Sequence, residues 1–127
     1  MNLAYTQTSA KSFDEVVRGV QEAVAAKGFR VLYVHDVQAT FAEKGITREP
    51  YRIIEVCNVK FASQALAADP MIGLMMPCKI NVWTEKGETK IALLLPSLLA
   101  DFFPQANLGN LGREVEAILR DVVDTAK

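Results

Sequence analysis

The stretch Lys79-Ile80-Asn81-Val82-Trp83-Thr84-Glu85-Lys86-Gly87-Glu88-Thr89-Lys90-Ile91-Ala92-Leu93-Leu94-Leu95 decides the fold. Two apolar runs, Met76 to Trp83 and Lys90 to Leu95, flank the polar segment Thr84 to Thr89, in which Lys86-Gly87 supplies a tight turn. Strands joined by so short a connection pair antiparallel, because a parallel pair needs a crossover of a dozen residues or more. Pro96 ends the hairpin. Working back toward the N-terminus, Tyr51 to Cys57 reads as a further strand and Phe29 to His35 as another, both rich in branched and aromatic side chains. Alternation in Leu3, Tyr5 and Gln7 predicts a short first strand.

Between these strands lie helices with legible ends. Ser12-Phe13-Asp14-Glu15 has the form of a capping box: the Ser12 hydroxyl accepts from the backbone at the third helical position while Glu15 reaches back. Phe13, Val16, Val17, Val20 and Val24 then make one apolar stripe, and Gly28 stops the helix by tolerating a left-handed backbone. Asp36 is placed to cap a short helix containing Val37, Phe41 and Ala42 that ends near Lys44-Gly45. Asn58 caps a helix over Val59 to Ala68, closed by Asp69-Pro70. Ser97 to Phe103 reads as an irregular helical turn, and Asn110-Leu111-Gly112 leads into a last helix striped by Val115, Ile118, Leu119, Val122 and Val123. The reading is an α+β fold, one domain over residues 1–127, with helices packed against an antiparallel sheet.

Composition narrows the function classes. With half of its 127 residues apolar and 23% charged, the chain can bury a core, which excludes disorder and fibrous repeats. A net charge of -1 without a long Lys/Arg run predicts no nucleic-acid partner. The N-terminus lacks the basic segment and apolar run of a secretory signal, and no apolar stretch approaches the roughly 20 residues of a membrane span. A cytoplasmic protein that does not enter membranes is expected. No phosphate loop, Gly-x-Gly-x-x-Gly or Gly-x-Ser-x-Gly motif is present.

Ser12-Phe13-Asp14-Glu15, Gly28-Phe29 with Val31-Leu32, Asp36-Val37-Gln38-Ala39-Thr40, Tyr51-Arg52-Ile53, Cys57-Asn58, Ala65-Leu66, Gly73-Leu74 and Met76-Pro77-Cys78 occur in this order along the chain. Together they resemble domain-of-unknown-function family 302 over about residues 1 to 100. The resemblance implies an α+β fold, a homodimer and no established activity. The family tends to have proline after Cys57-Asn58, where this chain has Val59, and leucine where it has Met75-Met76. The constellation carried over is Cys57, Asn58, Pro77 and Cys78.

Those are the only two cysteines, each where a strand meets a loop or helix end. A thiol beside a helix N-terminus faces unpaired N–H groups, which favours its thiolate and suits a nucleophile, a redox or persulfide carrier, or a soft-metal ligand. A free cysteine more often simply packs as a small hydrophobe, and the twenty residues between the two neither favour nor forbid a disulfide bridge. His35, the sole histidine, falls in phase with Phe29, Val31 and Tyr33 and is a candidate to face the same site. Glu55, two residues before Cys57, would share its side of an extended strand and could act as a base toward the thiol. No short-spaced Cys-x-x-Cys or His-x-x-x-His signature occurs, so no metal site is expected. Met71, Met75 and Met76 near Cys78 could line a pocket or fill core. The leading expectation is a dimeric module binding a small molecule or a sulfur species near Cys57, Asn58, Pro77, Cys78, His35 and Glu55. The alternatives are a thiol-dependent enzyme or sulfur carrier using Cys57, and a self-association protein whose cysteines only pack.

Overall fold

The computed structural model describes residues 2–127. In chain order its elements are β1 (Ala4–Ser9), α1 (Phe13–Ala26), β2 (Arg30–Asp36), α2 (Val37–Ala42), β3 (Tyr51–Cys57), α3 (Val59–Ala68), a 3-10 turn (Pro70–Met75), β4 (Cys78–Glu85), β5 (Glu88–Leu94), α4 (Leu98–Phe102) and α5 (Leu111–Ala126). The strands form one sheet in the order β1-β5-β4-β3-β2, with every pair antiparallel. This is the α+β architecture that the hairpin implies.

The hairpin is longer than its apolar runs suggest. Glu85 pairs with Glu88, so the connection is Lys86-Gly87 alone, and both residues have positive φ, +51° and +78°. That geometry matches the right-handed twist of the flanking strands and lets Thr84 and Thr89 pair as well. At the other end β4 starts at Cys78 rather than Met76, because Pro70–Met75 winds into a 3-10 turn capped by the Asp69 side chain. A cis peptide joins Met76 to Pro77.

Each cap read from the sequence is made. The Ser12 hydroxyl accepts from Glu15 N–H, and a Glu15 carboxylate oxygen accepts from Ser12 N–H. Asp36 accepts from Ala39 N–H, and Asn58 accepts from Lys60 and Phe61 N–H. Gly28 takes φ +77° after α1, the left-handed conformation the stop requires.

The core is a single layer between the sheet and the helices. Val16, Val20 and Val24 of α1 and Val115, Leu119, Val122 and Val123 of α5 meet Ile54, Val56, Ile80, Val82, Ile91 and Leu93 of the three central strands. Helices α1 and α5 pack closely on each other: a Cβ built on Gly19 would lie 3.6 Å from Ala126. The opposite face of the sheet carries Tyr33, Glu55, Lys79, Asn81, Trp83, Lys90 and Ala92, with α2 against its β3 margin. One irregularity shapes this face. The β2–β3 register slips between Val31 and Tyr33, so Val31 stands opposite buried Val56 while Tyr33 stands opposite Glu55. The extra residue reverses the side-chain phase of everything after it in β2.

Candidate functional site

The ends of β3 and β4 place the two cysteines. Val56 and Cys78 are direct cross-strand partners, and Cys57 follows Val56 at the point where the chain turns into α3. Asn58 holds that turn on both sides: its carbonyl oxygen accepts from Lys60 and Phe61 N–H, and its amide nitrogen donates to the Gly28 carbonyl. Helix α3 therefore leaves the sheet next to the start of β2, opening a gap that α5 and the Pro96–Leu99 segment close from the far side.

The gap is an apolar cavity of about 50 Å³. Cys57 and Cys78 line it together with Asn58 and Pro77, and its walls are Phe29, Phe61, Met76, Pro96, Leu99, Leu111 and Val115. Four of the residues singled out in the sequence thus converge here from segments twenty positions apart. The walls from α5 and from Pro96–Leu99 were not legible, because nothing in a helix stripe says which strand ends it will cover. Gly112 completes the wall, with the backbone of Pro96 and Ser97 so close that a Cβ would meet the Pro96 carbonyl oxygen at 2.8 Å.

His35 and Glu55 lie elsewhere. They line a shallow depression on the uncovered sheet face with Val37, Thr40, Phe41, Ile53 and Lys79. His35 Nε2 is 3.3 Å from Glu55 Oε1, and the Tyr33 and His35 rings stand 4.6 Å apart. The register is the first reason: Arg30 stands opposite Cys57 but His35 stands opposite Ile53, toward the other end of β2, and the bulge at Val31/Tyr33 also turns His35 away from the core side. Glu55 faces Lys79 across β3–β4, while Arg52 reaches the other side, 3.2 Å from Asp36 and over the Phe13 ring. The sheet thus separates the histidine and carboxylate from the thiol cavity.

Both cysteines are free and partly buried. Burial pushes the Cys57 thiol up, and it pushes Cys78 up to about 11, helped by the charge of a Cys57 thiolate and opposed by Lys79. Desolvation outweighs any gain at Cys57 from the start of α3. The native state thus holds the Cys78 proton more tightly than the unfolded chain, whose ordinary value is 9.0. That contribution to stability is intact below pH 9.0 and is lost as the pH rises through about 11. The loss amounts to about 2–3 kcal/mol. Urea unfolding at the two ends of this window should show that much more alkaline destabilisation in the native sequence than in Cys78→Ala. Equal losses in the two proteins would contradict the burial of this thiol.

The fold, its sheet order and the cysteine-lined cavity define a class that comparison with known proteins makes definite. The family model described as Domain of unknown function DUF302 matches residues 5–126, and the chain belongs to that family. The match extends the sequence resemblance through α5. Among solved structures, the crystal structure of an uncharacterized conserved DUF302 protein from Bacillus stearothermophilus is similar at a TM-score of 0.92 and 28% identity, over 100% of both chains. No curated protein matches the sequence. Among the described residues, no helix is long and apolar enough to cross a membrane.

Proposed function

We propose that this chain is a binding module that holds a small molecule or a sulfur species in the cavity between the ends of β3 and β4, and that it works as a cytoplasmic homodimer. The observation that carries the reading is the convergence of Cys57, Asn58, Pro77 and Cys78 on one apolar cavity. About 50 Å³ admits roughly three or four water-sized groups, far below the hundreds of cubic ångströms that enclose a drug-sized ligand. The occupant is therefore an apolar or sulfur-bearing species of a few heavy atoms. A reducing cytoplasm would keep both thiols available to it.

Thiol catalysis has weaker support. A nucleophilic cysteine works as thiolate, and burial moves both thiols the other way. The dimer rests on the uncovered sheet face, where Tyr33 is 60% and Leu94 37% exposed beside Trp83 and Ala92. A five-stranded face has an area of the order that stable associations bury, about 800 Å² per partner.

Native mass spectrometry of protein purified under reducing, oxygen-poor conditions, followed by a denatured mass, tests both parts. The reading expects a dimer carrying excess mass that denaturation releases or that remains as an adduct on Cys57 or Cys78. A monomer of bare polypeptide mass would contradict it.

A further inference from the structure

The uncovered sheet face holds two opposite charges that the fold leaves open. Glu55 and Lys79 are direct cross-strand partners on that face, which sets their β-carbons about 5 Å apart. Among the described residues they nevertheless form no ion pair with each other: Lys79 Nζ donates to the Pro77 carbonyl at 3.2 Å, and a Glu55 oxygen lies 3.3 Å from His35 Nε2. An ammonium has three N–H donors and a carboxylate accepts at both oxygens, so each group keeps capacity for a further partner. The Glu55 side chain is only 22% exposed and Lys79 is half-buried, so water satisfies neither charge in full.

An apolar wall stands beside the pair. Val37 and Phe41 of α2 and Ile53 of β3 line the same depression, whose volume of about 270 Å³ is near the lower end of the roughly 300–1,000 Å³ typical of small-molecule sites. Helix α2 packs on β3 at this margin, so the depression is bounded by a helix, unlike the flatter part of the face around Trp83 and Ala92.

The mixed signs select the occupant. A simple anion placed here meets Glu55, and a simple cation meets Lys79. A metal ion finds one carboxylate and one imidazole beside an ammonium, and no group of three His, Cys, Asp or Glu among the described residues is placed to hold one. A molecule that carries both signs and an apolar body satisfies every group at once. We propose that this depression binds a free α-amino acid with a mid-sized apolar side chain, its ammonium on Glu55, its carboxylate on Lys79 and its side chain against Val37, Phe41 and Ile53. His35 holds Glu55 in place from β2. The site lies across the sheet from the thiol cavity, and its argument does not depend on what that cavity holds.

The test is calorimetric titration of the protein with L-leucine, isocaproate and isopentylamine, which share one branched apolar body and carry both charges, the negative charge alone and the positive charge alone. L-leucine should bind, and the other two should bind roughly tenfold more weakly or less, since each leaves one protein charge unpaired. Glu55→Gln and Lys79→Met each remove one charge and keep most of the side-chain volume. Either should weaken L-leucine roughly tenfold, while Glu55→Gln improves isocaproate and Lys79→Met improves isopentylamine. Urea midpoints establish that the variants are folded, and the ranking of the three compounds in the native sequence needs no variant. Ala62→Leu, which fills the thiol cavity, should leave L-leucine binding unchanged. Failure of L-leucine to bind, equal binding of all three compounds, or L-leucine binding unaltered in both Glu55→Gln and Lys79→Met would overturn the proposal. Loss of L-leucine binding in Ala62→Leu alone would overturn it as well, by moving the ligand to the thiol cavity.

Discussion

Replacing Ile80 with alanine is expected to remove about 2–5 kcal/mol of folding stability, the largest single effect in this chain. Ile80 sits on the central strand with Ile54 and Leu93 directly opposite on its two neighbours, and all three are fully buried. Truncation loses the transfer free energy of three carbon atoms and leaves a void that the paired strands cannot collapse into without breaking their ladders. Domains of this size have only about 5–15 kcal/mol in hand. Urea titration should therefore show a much earlier midpoint with little change in slope. Thr6→Ala, on the uncovered face of β1, should shift it by less than about 0.5 kcal/mol. A loss below about 1 kcal/mol for Ile80→Ala would mean that the core does not lie between the central strands and the helices.

The second large effect falls on the wall of the cavity. Gly112 opens α5, and a Cβ there would stand 2.8 Å from the Pro96 carbonyl oxygen and 3.2 Å from Ser97 Cα. Both obstacles are backbone, so the clash is relieved only by moving α5 away from the segment that precedes α4. Crowding of this kind costs about 1–3 kcal/mol and exceeds the modest gain in helix propensity from Gly to Ala. Gly112→Ala should accordingly lower the melting temperature and, by displacing one wall of the cavity, speed alkylation of Cys78. A variant as stable as the native protein, with unaltered labelling of Cys78, would show that the α5 wall is not tightly seated.

These two positions mark the boundary of what the sequence discloses. The caps at Ser12, Asp36 and Asn58 and the turn at Lys86-Gly87 act within four residues, so local chemistry predicts them and the structure contains them. The strand Tyr51–Cys57 and the helix Val59–Ala68 match their predicted bounds because Asn58 punctuates between them. Strand ends at β4 and β5 were less legible: Thr84 and Glu85 join the ladder through pairing across the hairpin rather than through their own preference. The turn over Pro70–Met75 was hidden by an apolar run that reads equally well as strand.

The site divides in the same way. Cys57, Asn58, Pro77 and Cys78 announce themselves at element ends, and an antiparallel β3–β4 pair brings them together. His35 fails to join them because the antiparallel register sets Arg30, not His35, opposite Cys57, and a slipped residue in β2 also reverses its face; neither shows in the alternation of Phe29, Val31, Tyr33 and His35. Phe61 and Val115 reach the cavity from helices whose stripes are visible, but whose placement over the strand ends is decided by tertiary packing. Met76 is a similar case: as one of several methionines it reads as filler, and only the structure shows it lining the cavity.

The central claim is that this cavity receives the ligand, and filling it is the most direct test. Ala62 lines the cavity from α3, and Ala62→Leu adds apolar volume there with a residue that favours helix. Thermal unfolding of the reduced native protein and of Ala62→Leu would be compared across small apolar and sulfur-bearing compounds of a few heavy atoms. Compounds that raise the melting temperature of the native protein and leave Ala62→Leu unmoved are the predicted result. Equal shifts in both proteins, or no shift in the native one, would contradict the claim.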